Sequence, residues 1–245
     1  MRTNRALSHP GLQEFVAASA SISAPRPPTV ERVVALNRGP FLGAPGPLAA
    51  LGAYEGQVLD VRSPREFAAG HLAGALNVAL SGSSVGTKAG FLLDVEAPVA
   101  IHAASPDQAE DAARRLRAVG LLDLAGYLVG VEGPERLEPV TLEELEALLA
   151  RGGVEVIDVR EKNERDEGYI PESRHIPYRL VGEFAEELAN GRTVVTVCES
   201  GARAAVAASV LAAHGVPARP VLDTGISDWE KRGNALTSFR RCGSG

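Results

Sequence analysis

The sequence predicts an α/β fold of two tandem units, each a mostly parallel sheet flanked by helices, behind an N-terminal extended segment. Three observations predict it. The chain repeats itself, each repeat alternates short apolar runs with helical patterns, and the first forty residues show neither feature.

The repeat is direct. Val58–Leu80, VLDVRSPREFAAGHLAGALNVAL, overlies Val156–Tyr178, VIDVREKNERDEGYIPESRHIPY, at an offset of 98. Asp60 pairs with Asp158, Arg62 with Arg160, Glu66 with Glu164 and Gly70 with Gly168. Farther along the offset settles at 95. There PVAIHAASPDQAEDAARRLRAVG overlies TVVTVCESGARAAVAASVLAAHG, Gly120 meets Gly215, and Gly130 meets Gly225. A period of about a hundred residues is too long for a solenoid and suits a duplicated domain.

In chain order, residues 1–43 read as a leader and linker. SASISAPRPP and NRGPFLGAPGP are rich in Pro, Gly and Ser, which favour extended structure. The first domain is expected over 44–137, the second over 138–239, and residues 240–245 are expected to be a flexible tail. In the second unit, T-L-E-E at Thr141 is a capping box completed by Glu144, and Leu142, Leu145, Leu148 and Leu149 mark the buried face of its helix. Strands are expected at Val154–Val159, Arg174–Ile176, Thr193–Val197 and Arg219–Leu222. Arg203–His214 is so rich in Ala and Val that it reads as a buried helix, ended by Gly215 and Pro217. In the first unit a helix starts at Ser105 as N-cap, with Pro106 in the first turn and Gln108 completing a capping box.

Composition narrows the function. A formal charge of −6, with no Lys/Arg run among aromatics, argues against nucleic acid as a partner. No stretch approaches the ~20 apolar residues of a membrane span, and MRTNRALSHPGLQEF lacks the apolar core of a signal peptide. Two cysteines, Cys198 and Cys242, make neither a disulfide framework nor a zinc spacing, which fits a reducing cytoplasm. No metal or organic cofactor is expected.

The chemistry centres on VVTVCESGARAAVAASVLAAHG. Cys198 ends an apolar strand, a six-residue loop runs to Arg203, and a helix follows. Loop N–H groups and the positive end of the helix dipole then face the sulfur and stabilise a thiolate or an anionic persulfide. Glu199, Ser200, Gly201, Ala202 and Arg203 are the candidate substrate-binding residues around the catalytic candidate Cys198. Gly201 lets the backbone curl, and Arg203 supplies a cation for an anionic donor. Glu199 places a negative charge where it opposes a dianionic donor such as thiosulfate.

The second unit resembles the rhodanese-homology family in its DVR strand, the Glu164–Gly168–Ile170–Pro171 turn, the loop CESGAR and the closing LDTGISDW. The resemblance implies a Cys198 persulfide as covalent intermediate. It implies a sulfane-sulfur donor of thiosulfate or persulfide type, and a thiol or cyanide acceptor. A six-residue loop implies sulfur transfer, whereas seven in related phosphatases holds a larger phosphate. Tyr169 stands where the family usually has His, which His71 retains, and Thr224 replaces one closing glycine. The first unit resembles the family in DVRSPREFAAGH, but Ala103 stands opposite Cys198 and Gln108 opposite Arg203, so it reads as structural or docking.

The order of parts, from RTNRAL…EFVAA through LNRGP to a site-less and then a complete unit, is similar to the carboxyl-terminal portion of metallo-β-lactamase-fold fusions of persulfide dioxygenase type. That resemblance implies such a partner or missing domain, because their HxHxDH segment does not occur here. A non-catalytic docking module for a metal-dependent sulfur-oxidising enzyme is the alternative reading.

Other residues read plainly. Asp158 and Arg160 recur as Asp60 and Arg62 without the cysteine, which assigns them to the fold. His71, His175 and His214 read as packing or surface residues, Trp229 as a core lid, and Glu183, Glu186 and Glu187 as a solvated face. Cys242 reads as an incidental exposed thiol.

Overall fold

The computed structural model describes residues 25–40, 43–82 and 84–238. The leader up to residue 24, the tail 240–245 and Cys242 lie outside the described residues.

The linker before the first unit is not extended throughout. Val30–Arg38 forms a helix, α1, with Glu31 in its first turn and Arg38 in its last, each placed to favour the helix dipole. Nine residues cannot sustain a helix alone in water. Docking supplies the difference: Arg32 Nη1 lies 2.9 Å from Glu96, Val33 packs on Gly120, and buried Thr29 packs on Gly90. Composition flagged the flanking Pro and Gly but missed the clean helical run between them.

The first unit then runs β1 (Gln57–Asp60), α2 (Pro64–Ala69), β2 (Leu76–Asn77), α3 (Val85–Leu92), β3 (Val99–His102), α4 (Pro106–Arg117) and β4 (Leu124–Leu128). The second runs α5 (Leu142–Arg151), β5 (Val154–Asp158), α6 (Lys162–Glu167) and β6 (Arg174–His175). A 3₁₀ turn at Val181–Phe184 leads into α7 (Ala185–Leu188), followed by β7 (Thr193–Val197), α8 (Ala202–Ala213), β8 (Ala218–Pro220) and α9 (Ile226–Lys231).

Both sheets are parallel throughout and identically ordered, β2-β1-β3-β4 and β6-β5-β7-β8. Single parallel bridges, Ala50 to Tyr127 and Val140 to Val221, add the stub of a fifth strand at equivalent edges. Gly120 and Gly215, matched by the repeat, both hold positive φ (84° and 75°) just past the helix that follows the third strand. Thr141 accepts from Glu144 N as the cap of α5.

Strand β5 alternates as a two-faced strand must. Val154 and Val156 join Val195, Val197 and Trp229 on one face; Ile157 joins Val194 and Leu211 on the other. That second face is not closed within its own unit. Its apolar cluster runs on into Leu59, Val78 and Ile101 of the first unit, so one core crosses the boundary. Helix α8 sits in the seam, with every residue from Ala204 to Leu211 buried. There Ser209 Oγ accepts from Asn77 N of β2 at 2.9 Å and donates to Val206 O at 2.7 Å. At the rim Arg65 is ion-paired with Asp223.

Candidate functional site

The Asp-Val-Arg repeat builds the frame. Arg160 Nε and Nη2 donate to both oxygens of Asp158, at 3.0 and 2.8 Å, and Nη2 also donates to Gly168 O at 2.6 Å. Arg62 repeats this with Asp60 and Gly70 O. The clamp ties the end of the first strand to the turn after the next helix, and occurs with or without a cysteine. Burial would raise the Asp60 carboxyl, but the His102 imidazole 3.2 Å away and the hydrogen bonds from Arg62 hold it below the ordinary carboxylate range.

Cys198 follows β7 and is 1% exposed. Its carbonyl accepts from Ile226 N at 3.1 Å, which pins the closing segment beneath the loop. Gly225 is required there, because a Cβ would overlap the backbone of Cys198 and Glu199. Gly201 is left-handed at φ 81° and packs edge-on to Leu222 and Asp223. Helix α8 begins at Ala202, and among the described residues the amides from Glu199 to Ala204 have no backbone or side-chain acceptor. That leaves a run of unpaired donors at the positive end of a twelve-residue helix, a surrounding that favours an anion.

Arg203 does not stand free at the rim. Its two terminal nitrogens bind both oxygens of Glu164 at 2.5 and 2.6 Å. The Glu164 hydrogen bond raises the Arg203 pKa further, and the same pair draws the Glu164 carboxyl below its usual value. Arg203 therefore braces α8 against α6. Glu199 faces the opposite side of the loop from Ser200 to Ala202. Its carboxylate lies 3.7 Å from Arg160 and lines a cavity of about 500 Å³ with Glu164, Glu167 and Glu230. Ser200, Gly201 and Ala202 line a separate cavity of about 300 Å³.

The matching place in the first unit is closed. Ala103 is buried, and Gln108 Oε1 accepts from Ala104 N at 2.6 Å, while Gln108 N donates to Ser105 Oγ at 3.2 Å. The loop amide is satisfied by its own chain. Glu66, the counterpart of Glu164, binds Ser63 Oγ and N rather than an arginine.

His71 stacks on Phe67, and all three of His71, His175 and His214 contact backbone carbonyls. Trp229 is a core residue whose Nε1 donates to Ala235 O. Tyr169, in the position where the family usually has His, lies under the Arg165 guanidinium at 3.9 Å. Among the described residues no group of His, Cys, Asp and Glu could hold a metal ion, and no helix is long and apolar enough to cross a membrane.

A parallel α/β layer that sets a thiol just past a strand, curls three residues round it and starts a helix defines a class of domain built around one cysteine. The chain belongs to the rhodanese-like family: the model of the rhodanese-like domain matches residues 48–131 and again 141–232. Solved structures similar to it include a rhodanese-like domain protein from Staphylococcus aureus (25% identity, 42% of this chain, 100% of that chain, TM-score 0.38). A thiosulfate sulfurtransferase from Pseudomonas aeruginosa is similar over more of the chain (24% identity, 74% of this chain, 40% of that chain, TM-score 0.35). A human single-domain sulfurtransferase matches at 25% identity over 38% of this chain and 96% of that chain, with TM-score 0.34. A search of curated proteins gave no match.

Proposed function

We propose that the second rhodanese-like domain is a sulfurtransferase with Cys198 as its nucleophile. The observation that carries this reading is the run of unpaired amides around Cys198, from Glu199 to Ala204, at the start of α8. The Cys198 thiolate attacks the outer sulfur of a donor such as thiosulfate. A sulfur–sulfur bond forms, the donor's own bond to that sulfur breaks, and sulfite leaves with the electron pair. The cysteine then carries an anionic persulfide in the amide cradle. A thiolate or cyanide attacks the outer sulfur, and the Cys198 thiolate departs unchanged. Neither step needs a metal or an external oxidant.

A second reading, a docking scaffold for a metal-dependent sulfur-oxidising partner of metallo-β-lactamase fold, is favoured by one observation. Cys198 is 1% exposed and lines neither cavity. Intact mass separates the two. Incubation with thiosulfate should add one sulfur atom to the wild-type chain and none to Cys198→Ser, while Cys242→Ser gains it normally. Sulfur loading by Cys198→Ser, or none by the wild type with any donor, would overturn the sulfurtransferase reading.

A further inference from the structure

The cavity of about 300 Å³ beside the Cys198 loop has walls from both domains. Ser200, Gly201, Ala202 and Asp223 come from the second; Gly82 and Lys88 come from the first. Lys88 lies on α3 and is half-buried, with its Nζ against Gly82. The sequence contains three lysines. Lys162 is paired with Asp166 and Lys231 with Asp228, whereas Lys88 has no carboxylate partner among the described residues. The arginines nearest the loop are likewise committed, Arg203 to Glu164 and Arg160 to Asp158. Asp223, the carboxylate in the same wall, is held by Arg65.

The other cavity beside the loop sets the contrast. Besides Glu164, which is already paired with Arg203, it carries three carboxylates, Glu167, Glu199 and Glu230, against Arg160 as the one cation in its lining. An anion approaching the loop is repelled on that side and drawn to the side of Lys88. Burial lowers the Lys88 pKa and nearby Arg203 lowers it further, while Cys198 raises it.

We propose that Lys88 is the donor-binding cation of the Cys198 site, so that the domain without a nucleophile completes the site of the domain that has one. This inference rests on the sulfurtransferase reading above. The donor it selects is a small anion whose charge lies beside the sulfane sulfur, as in thiosulfate or an organic thiosulfonate. Lys88 holds the sulfonate oxygens and directs the outer sulfur toward the loop.

Steady-state kinetics of the full chain with cyanide as acceptor test it, using thiosulfate as the dianionic donor and benzenethiosulfonate as the monoanionic one. Lys88→Met should raise KM for thiosulfate about tenfold, as expected for one charge contact in a partly solvated site. The rise should be smaller for benzenethiosulfonate, with kcat changed less than KM for both. Raising the ionic strength should weaken thiosulfate binding in the wild type and have less effect in Lys88→Met. Lys88→Arg keeps the charge and should retain most of the binding. Unchanged KM values in a folded Lys88→Met, or equal losses in Lys88→Met and Lys88→Arg, would overturn the role of Lys88 while leaving the sulfurtransferase reading intact. A wild type that forms no Cys198 persulfide would overturn that reading, and this inference with it.

Discussion

Arg203 and Glu164 stand 39 residues apart and meet in a bidentate pair. The sequence singled out Arg203 as a cation for an anionic donor, and Glu164 for matching Glu66 and for the turn shared with the family. The pairing was invisible because it depends on α6 and α8 being brought together by the sheet. Lys88 was missed for a related reason. It lies between Leu80 and Val99, where the two repeat registers lose three residues against each other and no counterpart can be assigned. Its one sequence signal was rarity among a surplus of arginines. The Arg203–Glu164 bond has a measurable pH signature. Because the hydrogen bond to Arg203 depresses the Glu164 pKa in the folded chain, the stabilisation is complete above the ordinary carboxylate value of about 4.3 and is lost as pH falls through the folded-state value. Glu164→Gln should cost about 1 kcal/mol at pH 7, since both side chains are partly exposed, and the gap should close on acidification. Urea unfolding at several pH values measures it. A pH-independent gap would place the cost in packing.

At the level of elements, strands and helices of the second unit were readable because their apolar periods and caps are local. β7 spans Thr193–Val197 as expected, and α8 is buried as its Ala/Val content required. The exception is β8, which ends at Pro220 rather than Leu222. From there the chain turns through Asp223, at φ 60°, to pack under the Cys198 loop. That contact, not local preference, sets the end of the strand. Gly201 carries the other half of the contact. An alanine there would hold a left-handed conformation, costing about 1–2 kcal/mol. Its Cβ would also lie 2.6 Å from Asp223 N and 2.8 Å from the Leu222 Cα. Gly201→Ala should therefore lose about 2–4 kcal/mol of stability, from strain plus overpacking. Thermal unfolding reads the loss, and a change below 1 kcal/mol would mean the loop yields freely.

Across the whole molecule, the duplication was legible but the joint was not, since a repeat says nothing about how its copies pack. The core passes from one sheet to the other, and α8 is enclosed by both units. Separating them would expose an Ala/Val face and leave Asn77 N and Ser209 Oγ without each other. The domains should consequently unfold as one unit. Trp229, the only tryptophan, reports on the second domain alone, whereas far-UV circular dichroism reports on both. The two signals should give coincident denaturant midpoints. An earlier circular dichroism transition would show the first domain melting independently.

The closed loop of the first domain limits what that place can hold. Gln108 Oε1 accepts from the amide of Ala104 much as a ligand oxygen would, and the Gln108 backbone N donates to Ser105 Oγ. A cysteine at position 103 would place a thiol beside a hole already filled by its own chain. A thiol there would therefore lack the open run of amides that surrounds Cys198, and that one change should not by itself load sulfur.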